Sequence, residues 1–267
     1  MVPVHLTGVS RRTAAVAAVA VLACGVLAAC GESDSSAGDG PTSTSTSSSG
    51  TSSNTAVVPD LDVAALASST STAGPVRFTT DLVVDDPDTP VSRVEGLVDW
   101  AGERGQATEW VDPGLYQGQP SQGLHKVALE WATSASVVEQ GLGEDGAVDG
   151  DPQVVDGTVL GLVGWSDAAA TASGSAGVEQ IILSLVGGRA FGPGEADAVE
   201  GGDAVHYAAS GGDGSGVTDV WVSDQGLLVR LVLATSEAGS PVRQVITLTD
   251  YGTDNEIEPP PALGGGS

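Results

Sequence analysis

The sequence predicts an α+β fold dominated by one long, curved antiparallel sheet, with a few short helices on its concave side. Most of the chain beyond residue 75 alternates apolar and polar residues with a period of two, which is typical of strands. Short turn segments separate these runs, and consecutive strands joined by short turns pair antiparallel. Two or three segments instead carry helical spacing. A parallel sheet of eight or nine strands would need a crossover helix between most of its strands, so these helices are too few for a parallel sheet.

The first half of the folded region predicts one helix followed by four strands. Asp60 is a good N-cap, so we expect a helix over residues 61–69, before a Gly-Pro break. Alternation then predicts strands over residues 76–84, 91–100, 105–111 and 124–131. In the last of these strands, alternate residues share the face that we expect to point to the core: His125, Val127, Leu129 and Trp131.

The second half is less regular before its strands resume. We expect a helix over 134–141, an acidic, glycine-rich loop over 141–157, a strand over 158–165 and a helix over 178–186. One side of the last helix carries Val178, Ile181, Ile182 and Leu185. Four closing strands are predicted at 204–209, 217–223, 227–235 and 242–251, and Ser223-Asp224-Gln225-Gly226 has the composition of a hairpin turn.

The N-terminus has the three parts of a bacterial export signal. Arg11 and Arg12 supply positive charge before an apolar run at 13–27, which is shorter than the ~20 residues of a membrane span. Leu27-Ala28-Ala29-Cys30 then resembles a lipobox, whose cysteine takes diacylglycerol and fatty acids such as palmitate. We expect residues 1–29 to be removed and Cys30 to anchor the mature chain to the cell membrane, on its extracytoplasmic face, by either the Sec or the Tat route.

A polar tether separates this anchor from the folded domain. Residues 30–55 are almost entirely Ser, Thr, Gly, Asp and Pro, a composition that cannot offset its ordering entropy and predicts a flexible segment. The folded domain is expected over 56–261 and a flexible tail over 262–267. Cys24 leaves with the signal, so no disulfide framework holds this domain.

The charge balance argues against a nucleic-acid partner. The chain has 9 basic and 35 acidic residues, and loss of Arg11 and Arg12 leaves 7 basic residues and a net charge of −28. Such a surface repels phosphate backbones. It also disfavours docking on anionic lipid headgroups and keeps an exported protein soluble.

No arrangement of side chains indicates catalysis, a cofactor or a metal. His125 and His206, the two histidines of the mature chain, alternate with strand residues and are expected to be partly buried and structural. The acidic loop 141–157 contains a Gly-x-Gly-x-x-Gly match, but its acidic residues would repel a pyrophosphate and no strand is predicted before it. The same loop fails the EF-hand spacing.

Several segments together resemble actinobacterial lipoproteins of the LppX/LprG type, within the LolA-like lipoprotein carriers. The similar segments are Arg77-Phe78-Thr79-Thr80-Asp81-Leu82, the hairpin from Val220 to Arg230, the closing strand from Val245 to Gly252, and the proline-rich exit at 257–261. The resemblance implies a half-open β-barrel that cups a hydrophobic cavity closed by helices. Known members of that family bind acylated lipids.

Two hypotheses about function follow from this sequence. In the first, a non-enzymatic, membrane-anchored lipoprotein binds or carries an acyl-lipid ligand between sheet and helices, because a single sheet cannot bury its apolar face against itself. The residues expected to line that cavity are Val127, Leu129, Trp131, Ile181, Ile182, Leu185 and Trp221. In the second, the core is fully packed and the domain is a non-catalytic surface interaction or sensor module, for instance of a membrane protein.

Overall fold

The computed structural model describes residues 60–84, 89–133, 136–165, 177–200, 202–210, 216–237, 240–252 and 257, all within one compact unit over 58–267. The predicted signal peptide, the lipobox with Cys30, the tether and the tail lie outside the described residues. No helix in the described ranges is both long and apolar enough to cross a membrane.

One open antiparallel sheet contains the eleven strands of the described residues. They are β1 (Val76–Val84), β2 (Pro90–Asp99), β3 (Arg104–Val111), β4 (His125–Ala132), β5 (Ser136–Gly141), β6 (Gln153–Asp156), β7 (Glu195–Val199), β8 (Gly202–Ala208), β9 (Gly216–Ser223), β10 (Leu228–Glu237) and β11 (Ser240–Thr249). Their order is β6-β5-β4-β3-β2-β1-β11-β10-β9-β8-β7. Two meanders therefore meet where the first strand pairs with the last, which confirms the predicted fold class.

The four helices of the described residues are α1 (Val63–Thr72), α2 (Pro113–Tyr116), α3 (Val159–Leu162) and α4 (Val178–Val186). The opening helix begins two residues later than predicted, because the carboxylate of Asp62 caps it by accepting from Ala65 N at 3.0 Å. Helix α4 has the predicted bounds.

The middle of the chain differs from the sequence prediction in four places. Residues 136–141 form strand β5 rather than a helix, since the β-branched Val137 and Val138 pair with β4. Residues 159–162 form the short helix α3 rather than a strand. The edge strands β6 and β7 were not predicted, because they lie within the acidic loop and a glycine-rich segment. Four of the five residues of β7 are exposed, so this strand shows no apolar alternation.

The two faces of the sheet differ in what covers them. The inner face packs against α1, α3 and α4 in one apolar cluster, to which β1 contributes Val76 and Phe78. The outer face carries the alternate residues, such as Arg77 and Thr79 in β1. The predicted hairpin turn joins β9 to β10, with Gly226 N donating to Ser223 O and Gly226 at φ +76°.

Candidate functional site

Helix α4 brings three of the seven predicted ligand residues to the inner face. Ile181 and Ile182 are 0% and 1% exposed, and the half-buried Leu185 packs against the same cluster. Side chains this inaccessible contact neither solvent nor a void that admits water. The space between α4 and the sheet is therefore filled at both isoleucines.

Two stacked tryptophans complete the inner layer beside α3. The ring centroids of Trp100 and Trp165 are 5.4 Å apart and their planes differ by 7°. Trp165 follows Gly164, whose φ of +88° favours glycine. Thr80 Oγ1 donates to Val163 O at 3.0 Å and the Gln244 amide donates to Gly164 O at 3.4 Å. Both hydrogen bonds attach this turn to the sheet.

Helix α1 contacts the inner layer through a narrow face. Its fully buried residues are Leu66, Ala67 and Thr70, and the partly buried Leu61 and Val63 also pack against the cluster, so a few small or medium-sized side chains supply its apolar contact. Thr70 Oγ1 accepts a hydrogen bond from Leu228 N at 3.0 Å, and the Tyr251 hydroxyl donates to Leu228 O. Burial raises the pKa of Tyr251 far above its usual range, so the phenol stays protonated as this donor. A polar network thus fixes the end of α1 to the start of β10.

The prediction that β4 turns Val127, Leu129 and Trp131 to the core is wrong. The buried side of β4 is Ala128, Glu130 and Ala132, and Glu130 pairs directly with the core residue Ala107. Alternation therefore places the predicted residues on the outer face. His125, expected to be partly buried, is exposed. The error arose because the less bulky side of this strand is the one that fits beneath α3.

The outer face holds a solvent-open groove of about 520 Å³ across β11, β1, β2, β3 and β4. Leu129 and Trp131 line it, although they were predicted for a cavity on the other side. The sequence pattern did not single out the other outer-face residues of this groove, which are Arg77, Thr79, Glu95, Leu97, Gln106, Thr108, Trp110 and Thr249. The signal was present in β3, where Gln106, Thr108 and Trp110 alternate with residues of the inner face.

The charged groups around this groove are paired with one another. Arg93 donates to both carboxylate oxygens of Asp81, at 2.6 and 3.0 Å, and lies 3.5 Å from Glu95. The hydrogen bond to Asp81 raises the pKa of Arg93 further. Arg77 lies 3.4 Å from Asp250. These groups are two arginines and three carboxylates, so the surroundings of the groove carry a net negative charge.

Trp221, the seventh predicted residue, also lies on the outer face, at the other end of the sheet. The imidazole of His206 stacks on its indole at 4.3 Å, and the Arg230 guanidinium lies 5.1 Å from its ring centroid. Its Nε1 donates to Asp197 Oδ2 at 2.8 Å, which lowers the pKa of that carboxyl. His206 Nε2 lies 2.8 Å from Asp219 Oδ1, so this half-buried histidine has the structural partner that was expected.

A buried carboxylate organises the loop between β3 and β4. Asp112 is 1% exposed and accepts from the backbone amides of Gly114, Leu115, Gln122 and Gly123. Burial opposes its ionisation, but hydrogen bonds from the Ser121 hydroxyl and these amides outweigh burial and hold its pKa far below the usual range. This aspartate caps α2 and fixes the loop, which is a structural role.

The described residues contain no group of three or more His, Cys, Asp or Glu side chains that could hold a metal ion. In the acidic loop, Asp145 Oδ1 accepts from Ala147 N at 3.0 Å and closes a local turn. The carboxylate is therefore used within its own loop.

Fold and site together define an open-sheet α+β domain with one apolar, helix-covered face and one grooved, solvent-facing side. No protein-family model and no curated protein matches this sequence. Among solved structures, the chain is similar to a LolA superfamily protein of Nitrosomonas europaea, with a TM-score of 0.27 and 9% identity, over 73% of this chain and 96% of that one. A likeness this distant carries no argument about fold or ligands.

Proposed function

We propose that this protein is a non-catalytic lipoprotein of the extracytoplasmic membrane face, anchored through Cys30, whose sheet binds an acyl chain beneath α1 and α4. The anchor rests on the lipobox pattern and on the polar tether that follows it. The ligand class follows from the inner layer, which is built mainly from Val, Leu, Ile and Ala side chains with Phe78, Trp100 and Trp165. Such a layer offers contact area to an aliphatic chain and few partners to a polar ligand.

The observation that carries the proposal is the narrow attachment of α1. Full burial of a leucine such as Leu66 stabilises by about 1.5–3 kcal/mol, the partly buried Val63 adds less, and Ala67 and Thr70 add little apolar area. The same apolar cluster includes Ile181 and Ile182 of α4, which α1 contacts, and Ile246 of the sheet. Displacement of α1 would open that cluster, and an acyl chain would then cover it in place of the helix.

A second function is favoured by the tight packing of the same layer. Val76, Val98, Ile181 and Ile246 are each 0% exposed, so the layer is closed without a ligand. A domain with a filled core fits the surface interaction or sensor module equally well in chemical terms. The two proposals differ in whether α1 moves.

Native mass spectrometry of the full chain, recovered from its host membranes, tests the first proposal. We expect a mass shift from the lipids on Cys30 and a second, dissociable mass of an acyl lipid. Leu185→Gln should reduce the dissociable lipid, whereas Ser184→Gln, on the exposed side of the same helix, should not. A chain that retains its anchor, carries no dissociable lipid and binds no added fatty acid would favour the interaction module.

The anchor has a test of its own. Cys30→Ser should move the protein from the membrane fraction to the soluble extracytoplasmic fraction and abolish labelling by a clickable palmitate analogue. Continued membrane fractionation of Cys30→Ser would contradict the anchor, whatever the ligand of the domain.

A further inference from the structure

The outer-face groove is a second candidate site, separate from the acyl-binding layer. It lies on the opposite side of the sheet and is a solvent-open depression of about 520 Å³. Leu97, in its floor, is 6% exposed although it points away from the core. A solvent-open, partly apolar depression on the outer face of the sheet is a candidate ligand surface.

The lining is a mixture of indole rings, hydroxyls and an amide. Trp110 and Trp131 supply the two large apolar surfaces, and Thr79, Thr108 and Gln106 supply short polar side chains. Hydroxyl and amide groups both donate and accept hydrogen bonds. Indole rings offer flat apolar surfaces next to them. A pyranose ring has this same alternation of polar edges and apolar C–H faces.

The spacing of the two tryptophans indicates a ligand longer than one sugar. Trp131 pairs directly with Gln106 across β3 and β4, while Trp110 lies four residues further along β3. At about 3.3 Å per residue the two positions are about 13 Å apart along the strand. A monosaccharide would contact one tryptophan, whereas an oligosaccharide lying along β3 would contact both.

The charges around the groove disfavour an anionic ligand. Arg93 pairs with both Asp81 and Glu95, and Arg77 with Asp250, so two arginines face three carboxylates and no positive charge is left for an anion. The whole mature chain is strongly acidic, which further disfavours phosphorylated or sulfated polymers. Acyl chains are disfavoured as well, because Arg77, Thr79 and Glu95 place polar groups along the floor.

We propose that the outer-face groove between Trp110 and Trp131 binds a neutral oligosaccharide segment. A tethered lipoprotein carrying such a site could attach its domain to a surface polysaccharide while Cys30 remains in the membrane.

Calorimetric titration of the full chain with neutral oligosaccharides tests this site. The probes are the mono- and tetrasaccharides of the malto-, manno- and chito- series. We expect one series to bind, with the tetramer at least tenfold tighter than the monomer, a difference of about 1.4 kcal/mol. Trp131→Ala and Trp110→Ala should each weaken the tetramer at least tenfold. Trp221→Ala, on the same face but outside the groove, should leave affinity within twofold.

Two further variants separate loss of binding from loss of folding. Trp131→Tyr keeps an aromatic ring and should retain most of the affinity, and Thr108→Val should weaken binding with an unchanged Tm. Absence of binding by every series at millimolar concentration would overturn the site. So would binding that is equal in Trp131→Ala and wild type, or Trp-dependent binding to phosphatidylcholine vesicles in place of sugars. None of these outcomes bears on the acyl site, whose residues lie on the other face.

Discussion

Replacement of Thr70 by valine tests how α1 is held on the sheet. Valine keeps the branched shape of threonine and exchanges the hydroxyl for a methyl group. The hydroxyl oxygen accepts from Leu228 N at 3.0 Å, across 158 residues of sequence. Thr70 and Leu228 are both 0% exposed, so no water can replace the missing acceptor. The variant therefore leaves one buried donor, the Leu228 amide, without its acceptor, and it also removes the hydrogen bond between the Thr70 and Tyr251 hydroxyls.

The expected magnitude follows from that single unpaired donor. A buried donor that loses its acceptor costs about 1–3 kcal/mol. In a domain of about 200 residues, each kcal/mol lowers Tm by about 2–4 °C. Thr70→Val should therefore lower Tm by about 2–12 °C. Hydrogen exchange at the Leu228 amide should accelerate, because α1 no longer protects it.

Thermal unfolding and amide exchange of Thr70→Val are to be compared with Thr72→Val, two residues away on the exposed side of the same helix. The Thr72 hydroxyl donates to Ser68 O in the helix itself, so its removal should change stability by less than about 0.5 kcal/mol. Equal Tm values for the two variants would mean that no specific hydrogen bond fixes α1 on the sheet. Faster uptake of a fluorescent fatty acid by Thr70→Val would support displacement of α1 by ligands.

Three further predictions concern stability. Asp112→Asn should lower Tm most at neutral pH. Because the folded-state pKa of Asp112 is depressed, the stabilisation from its ionised carboxylate is complete above the ordinary pKa of about 3.9 and is lost as the pH falls toward the folded-state pKa. The difference in Tm between wild type and Asp112→Asn should therefore narrow in acid. Trp165→Ala removes a 1% exposed ring and should cost about 3–5 kcal/mol in chemical denaturation, more than Trp221→Ala. Salt should raise the Tm of the wild type, because it screens the repulsion within a chain of 9 basic and 35 acidic residues.

Each of these has a result that would contradict it. A Tm difference between wild type and Asp112→Asn that does not change between neutral and acidic pH would mean that ionisation of Asp112 does not stabilise the loop. Equal losses for the two tryptophan variants would mean that burial on the inner face adds nothing over the outer-face contacts. A Tm that falls with salt would show that ion pairs such as Arg93–Asp81 outweigh the general repulsion.

The strands and the fold class were predictable where one side of a strand is buried. Strand β1 has its predicted bounds. Its alternate residues, such as Val76 and Phe78, are buried and apolar, so the sequence shows a period of two. Edge strands lack that signal: β7 has one buried residue, Val199, and its acidic side chains protect an open edge. Such strands form because they pair with a neighbouring strand, and the local sequence does not show that pairing.

The candidate site was predictable in part, and its failure has one physical cause. In β4 the sequence shows correctly that Val127, Leu129 and Trp131 share a side. The sequence does not show which side of the sheet the helices will cover. The larger side chains of Val127, Leu129 and Trp131 suggested that the helices cover their side, which is wrong. Packing decided the matter, since the small Ala132 belongs to the same core cluster as α3, where a tryptophan would not fit.

The export and anchoring pattern around Cys30, the acidic character of the mature chain and the antiparallel succession of strands can all be read from the amino-acid sequence. These properties depend on residues that are neighbours in the sequence or on composition, and both can be determined without the folded structure. Two other properties required the folded chain: Trp110 and Trp131 line one groove, and Thr70 meets Leu228. Such contacts join residues distant in sequence, and only the register of the folded sheet brings them together.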